Sequence, residues 1–471
     1  MQRPTIRWQV GVAAALLGLF APRAQAHVKW FSDFDFATPP LEISAVLSPT
    51  FLALLALSTA VITALVLVDR RLEGVSWHQA VIEWLSVRQG ASLSVMRLAM
   101  SALLLLSWSS DAVLAPELAS ASAPLVWMQF VIALFLLFSR TVVLGGFGIV
   151  LIFVGAASEF GLFHMLDYLH YLGISVYLIF GQSRIPALRA LGLPALYSSI
   201  GFSLIWLGYE KLFYPSWALY LLEQNPQLAL GFPPDFFLQG AAFVEISLGF
   251  LLLIGLLERP MAAVITLVFF TTTLVFGKVE VIGHTPLHAA LIVFLLSGAG
   301  TLYKPPIAIH EKLGWRCAFA AVNFLAVTAL IGLLYSWSAQ GQYRAALLTE
   351  GAGQQHGMRQ FAVDGSQKIP TITRLQVVRE APGSYDLFVE IQNWTFTPEK
   401  NGRSSVANEG HSHIYVDGRK VGRLYGPWFH LGDLKPGRRR VLVTLNGSDH
   451  SDFTLGGELI RAETTVDVPS R

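Results

Sequence analysis

The chain is poor in thiols, in charge and in phosphate-binding loops, and each shortage removes a class of function. Its single cysteine, Cys317, lies inside an apolar segment. One thiol makes no internal disulfide, no Cys-x-x-Cys redox pair and no thiolate cluster, so dithiol chemistry within one chain is excluded. Charged residues make up 14% of the sequence and the formal net charge is +2. That balance leaves no electrostatic footprint for nucleic acid. The Gly351-Ala-Gly353 run falls in a connecting stretch and is no nucleotide-binding loop. What is there is hydrophobic: 54% of 471 residues, the composition of a polytopic membrane protein.

Arg3 and Arg7 precede a short apolar core, and Ala24-Gln25-Ala26 has the small-residue pattern of a cleavage site, so 1–26 reads as a signal peptide. Cleavage there makes His27 the mature N-terminus. Its free amine and imidazole then chelate one metal ion, as in the histidine brace of copper oxygenases. The alternative is that His27 has no role beyond following the cut. Lys29, Trp30 and Phe31 are expected to anchor the segment at the outer membrane surface. About ten spans follow, near 48–68, 91–109, 124–139, 141–158, 165–181, 194–210, 236–257, 260–277, 286–302 and 317–337. With an exported N-terminus, the inner loops hold Arg70, Arg71, Arg88, Arg140, Arg184, Arg189, Arg259, Lys304, Lys312 and Arg316. The outer segments before the C-terminal domain hold Lys29, Lys211 and Lys278. This bias agrees with the positive-inside rule and predicts a multi-pass protein of the bacterial cytoplasmic (inner) membrane with its C-terminal domain on the periplasmic face.

Ionisable residues gather where apolar runs meet, at Phe163-His-Met-Leu-Asp-Tyr-Leu-His-Tyr171 and at Gly283-His-Thr-Pro-Leu-His288. Ionisable groups at the edge of hydrocarbon are costly unless paired or functional. At roughly 100° per residue, His164, Asp167, Tyr168 and Tyr171 share a helix face, and His170 lies off it. Thr285 and Pro286 read as N-cap and first helical residue, which puts His288 in a first turn where the helix end favours neutral imidazole. These stretches occupy matching places in two four-helix units, 91–181 and 194–302, a parallel repeat about an axis along the membrane normal. The expected outer-mouth metal set is His27, His164, His170, His284 and His288, with Asp167 behind them. Glu245, within a span, needs a partner that a histidine or Lys211 supplies; Glu245, His164 and His284 are the candidates for proton transfer. The alternatives are interface anchoring and an interhelical hydrogen bond.

The second unit resembles the DoxX/DoxD family of small four-helix membrane proteins. The residues that carry this are Gly208-Tyr-Glu-Lys211, Gly240-Ala-Ala-Phe-Val-Glu245 followed by Gly249 and Gly255, the Glu258-Arg259 turn, and Gly283-His284. The first unit is similar more faintly, through Asp111 and His164. The resemblance implies a four-helix bundle in each unit and points to quinone or other redox chemistry, since some members are linked to thiosulfate:quinone oxidoreduction.

After a last span, residues 338–366 read as a linker, and 367–471 change to a period of two, the mark of strands. Thr371–Val378, Ser384–Gln392, His411–Val416, Arg439–Leu445 and Glu463–Val468 predict an immunoglobulin-like β-sandwich, with turns at Asp417-Gly418 and Pro436-Gly437. His411 and His413 point to one strand face. With His430 and His450 they make a thiolate-free imidazole set suited to copper, or zinc, with Asp449 or Asp452 as supporting carboxylates. The alternative is a solvated histidine face. The Gly-His-x-His stretch, the Val-Asp-Gly and Leu-x-Pro-Gly turns and the Asp-His pair resemble a widespread exported β-domain, which implies a metal role. The whole reads as a metal-linked membrane protein served by an exported redox or metal-delivery protein. The alternatives are a quinone- or haem-linked oxidoreductase subunit and a scaffold for a larger oxidase.

Overall fold

Runs of Leu, Val, Ile and Phe in lipid have to satisfy their backbone polar groups internally, and a helix does so within each segment. The structure, a computed structural model, describes residues 28–30, 36, 38–72, 74–120, 122–224, 226–276, 278–298, 312–351, 360–363, 368–381, 384–397, 405–417, 419–434, 436–448 and 451–469. It separates into a helical unit that ends at Gln342 and a second unit that holds the β domain. The helices used below are α1 (Pro49–Leu72), α2 (Ser92–Ser109), α3 (Ala123–Leu137), α4 (Val142–Phe160), α5 (His170–Phe180), α6 (Pro186–Phe213), α7 (Pro234–Ile254), α8 (Glu258–Phe276), α9 (Lys278–Ser297) and α10 (Leu313–Gly351). The ten stretches expected to span overlap these helices, 165–181 and 286–302 only in part. α1, α2, α4, α6, α7 and α10 are long and apolar enough to cross a membrane. Leu162–Tyr168 with His170–Phe180 makes a further span bent by 57°.

The eight helices from α2 to α9 close into a ring. Each packs on the next in sequence, and α9 returns to α2. The two inter-copy seams, α5 on α6 and α9 on α2, exchange when the copies are swapped, which is the neighbour order a parallel repeat requires. Within the second copy, α6 and α7 approach until only glycine fits between them. A Cβ on Gly201 would lie 2.6 Å from the Gly249 carbonyl oxygen, and one on Gly249 would lie 2.5 Å from that of Gly201. Outside the ring, α1 packs on α7, and α10 sets Phe324 against Phe250 and Tyr335 against Trp206. At one end of the ring Arg97 and Arg259 donate to the carbonyls of Leu136 and Leu295 and so cap α3 and α9. The charged cluster described below lies at the other end.

Four departures from the sequence reading have local causes. α6 starts at Pro186 and carries Pro194 inside it, because proline at a first helical position is favourable and a second is tolerated by packing. α9 starts at Lys278, so Pro286 is interior and Thr285 is no N-cap. His288 therefore lies beyond the first turn, and the helix-end argument for its neutrality does not apply. α10 runs on to Gly351, so the first part of the expected linker is helical. The stretch after α4 is a broken helix, turned at Gly161 with φ +85°, and the break brings His170 into the interior.

The β domain is a sandwich with more strands than the expected immunoglobulin-like count. Its larger sheet runs β1 (Gln360–Ala362), β9 (Asp452–Leu455), β8 (Gly437–Asn446), β5 (Glu409–Val416) and β4 (Thr395–Phe396). β6 (Arg419–Leu424), β10 (Glu458–Leu459) and β11 (Arg461–Val468) pair onto it. The smaller sheet is β2 (Thr371–Ala381), β3 (Ser384–Gln392) and β7 (Trp428–Asp433). Leu387 and Val389 of the small sheet close on Ile414, Val441 and Val443 of the large one.

Candidate functional site

The charged end of the ring is built around Lys29. A short 3-10 turn, Val28–Trp30, carries it between the two copies. Its Nζ lies 2.6 Å from Asp167 Oδ2 of the first copy and 2.7 Å from Glu210 Oε2 of the second. All three side chains are about 1% exposed. Trp217 adds a ring face 5.7 Å from Nζ. Burial alone depresses the ammonium's pKa; the two carboxylates more than reverse this and hold it above its ordinary value. Lys29 and Trp30 were expected at the membrane surface, but two buried carboxylates need a cation, and among the described residues Lys29 reaches both. Trp30 follows it inward. Its Nε1–H donates to the Tyr168 hydroxyl at 2.8 Å, and its ring lies against Gly283, where a Cβ would clash, and 4.8 Å from the His284 ring. The two histidine-bearing turns thus face each other with Lys29 and Trp30 between them.

Around this centre are further pairs. The Tyr168 hydroxyl donates to Glu117 Oε1, and His164 Nε2 lies 3.7 Å from the same oxygen. Glu117 sits in the α2–α3 connection, and burial pushes its carboxyl well above the ordinary range. Lys211 Nζ lies 2.8 Å from Glu245 Oε2, so Lys211 is the partner that Glu245 needs. Glu280, fully buried, lies 3.1 Å from His284 Nδ1, and the His284 ring stacks on Phe269 at 4.3 Å. His170 packs on Tyr171, with ring centroids 4.5 Å apart, and His288 lies beside Phe270. Among the described side chains of this region, carboxylates outnumber ammonium groups: Glu117, Asp167, Glu210, Glu245 and Glu280 against Lys29 and Lys211.

The expected outer-mouth metal set is not assembled among the described residues. His164 and His170 both pack against Tyr168, and His284 and His288 both against Phe269, but no three of these histidines bring ligand atoms together. His27 lies outside the described residues. The Asp167 carboxylate, expected behind these histidines, pairs with Lys29.

In the β domain, His411 and His413 do share a face, opposite the sandwich core, and both are buried. Their Nε2 atoms are 2.9 Å apart. Asn446 Oδ1 accepts from the His413 backbone N–H at 3.3 Å, and Asn446 Nδ2 donates to Asp452 Oδ1 at 2.6 Å. His430 does not join them. It is on β7 in the other sheet, exposed, with Nδ1 2.8 Å from Asp386 Oδ1 and 3.7 Å from Glu380 Oε2. Those three residues bring their ligand atoms within 4.8 Å of one another. His450 and Asp449 lie outside the described residues.

Sequence reasoning missed Lys29, Glu117, Glu210 and Glu280 as site residues. The available signal was in the second copy: Glu210 adjoins Lys211 at the end of an apolar run, and Glu280 precedes His284 by one helical turn. Glu117 and Lys29 carry no local signal, since their partners are distant in sequence.

No curated protein and no solved structure matches this chain. The DoxX family model matches residues 198–278, a stretch that runs from α6 to the start of α9 and includes Glu210, Lys211 and Glu245. With its membrane-type helices and its separate C-terminal sandwich, the chain is a DoxX-like membrane protein fused to a β domain.

Proposed function

We propose that this DoxX-like protein binds and passes on a metal ion at its β domain, copper(II) in the first place and zinc as the alternative. The observation that carries the reading is the pair of buried imidazole nitrogens of His411 and His413, 2.9 Å apart. Two metal–nitrogen bonds of about 2.0–2.1 Å at a near-right angle span that gap. Asn446 fixes the strand behind His413, and Asp452 fixes Asn446. The pair leaves positions for water, for His450 or for a donor group from an exported metal-delivery or redox protein. On this reading the β domain is on the periplasmic face of the cytoplasmic membrane. The test loads the full-length protein with copper and with zinc in detergent, removes the loose excess, and records metal content and the EPR spectrum. Stoichiometric copper with nitrogen hyperfine splitting, lost in H411A/H413A, is expected. Equal copper in both proteins ends the reading.

A second reading rests on the buried carboxylate excess beside the histidines. In it the bundle is a quinone-linked oxidoreductase subunit, and Glu245, His164 and His284 hand protons to and from the quinone. Glu280 beside His284 is the observation that favours it, because a buried carboxyl and an imidazole 3.1 Å apart, not hydrogen-bonded to each other, need only realign to exchange a proton. Quinone that copurifies with the wild type and is lost from H284A supports this reading; quinone content unchanged by H284A counts against it.

A further inference from the structure

Lys29 is not part of the ring it stabilises. It arrives on a three-residue turn, and Glu210, Trp217 and Asp167 reach it from α6, from the α6–α7 connection and from the broken helix before α5. The set is what recognises a primary ammonium ion. Two carboxylate oxygens stand at 2.6 and 2.7 Å from the nitrogen, and an indole face completes the enclosure. A primary ammonium carries three donors on a compact charge, which fits acceptors placed on different sides. The cage has acceptor capacity in reserve: Asp167 Oδ1 and Glu210 Oε1, both buried, accept no hydrogen bond among the described residues. Beside the cage, Trp30 fills the space between Tyr168, Gly283 and His284 with an aromatic ring. The lysine and the tryptophan together occupy the bundle as an amine with an apolar body would.

We propose that Asp167, Glu210 and Trp217 form a binding site for a primary alkylammonium ion, in which Lys29 is a tethered occupant that a free amine replaces. The ligand class is an organic amine whose ammonium takes the place of Nζ and whose apolar part takes the place of Trp30. This site is separate from the β-domain histidines, so it stands or falls independently of metal binding.

The test uses the full-length chain in detergent at constant ionic strength. In K29A, n-propylammonium is expected to raise the thermal midpoint saturably, and tetramethylammonium, which has no N–H, is expected not to. The response is expected to vanish in K29A/D167N/E210Q. A folded K29A that does not respond, or responds equally to both cations, overturns the proposal. If K29A does not fold alone, n-propylammonium present from solubilisation onward is expected to restore monodisperse protein, and failure to do so also overturns it. In the wild type, saturating 2-phenylethylammonium is expected to reduce hydrogen-exchange protection of the peptide containing Trp30. Unchanged protection refutes the tethered-occupant half of the proposal.

Discussion

Single residues here act through what their neighbours leave unsatisfied. Glu210 and Glu280 are both buried acids near the same end of the ring, yet their removal has opposite consequences. Glu210 is one of two counter-ions to Lys29. E210Q leaves the buried ammonium paired with Asp167 alone, and a loss below the about 3–5 kcal/mol of an unpaired buried charge is expected, read as a lower thermal midpoint. Glu280 faces a histidine and no ammonium among the described residues, and E280Q removes a buried acid whose charge is poorly matched. Its midpoint is expected to stay level or rise; a fall comparable to that of E210Q would show that Glu280 has a strong partner. Asp417 behaves differently because it is near the surface of the β domain. Slight burial works to raise its pKa, but the Arg440 N–H and the Arg439 guanidinium, each 2.9 Å from a carboxylate oxygen, outweigh it and hold the group below its ordinary value. A depressed folded pKa stabilises above the unfolded value of about 3.9, and that stability is lost as pH falls through the folded value. D417N keeps a side chain that tolerates φ +50° and is expected to flatten the loss of β-domain stability below about pH 4. A wild-type acid slope in D417N would remove the charge from the account.

Helices and strands were more legible than their ends. Each apolar run became a helix, because hydrophobicity over about 20 residues is a strong signal and lipid permits little else. Ser384–Gln392 is a strand with the predicted limits, and alternation also placed His411 and His413 on one face. The ends failed where tertiary packing overrode local preference. Pro286 looks like a helix start, but Trp30 against Gly283 and Phe269 against His284 hold the turns around it in α9. The short strands β1, β4 and β10 have no periodicity long enough to see. The α6–α7 seam makes an element-scale prediction. G249V puts branched carbons where a single Cβ already lies 2.5 Å from the Gly201 carbonyl oxygen, so the two helices have to separate. A loss of about 1–3 kcal/mol is expected, visible as a lower thermal midpoint. A midpoint equal to that of the wild type would mean the seam opens without cost.

At the scale of the whole chain, the repeat was readable from sequence because both copies keep the same order of polar stops, inner turns and histidines. Its closure into a ring was foreshadowed by the parallel sense of the copies. What joins the copies was not readable, since Lys29, Asp167 and Glu210 belong to three segments with no sequence relation to one another. In the β domain the histidine pair was readable and the full set was not, because sheet membership decides where His430 goes. The Lys29–Trp30 wedge between the copies also bears on how the halves can differ. A repeat of two copies offers every position twice, but the single Lys-Trp wedge between the copies cannot be matched twice. One half must present the acid of a broken helix and a tyrosine to it, and the other an acid at a helix end, a glycine and a histidine. Two identical halves would compete for one guest. Joined in one chain, they are free to specialise as unlike jaws of the same clamp.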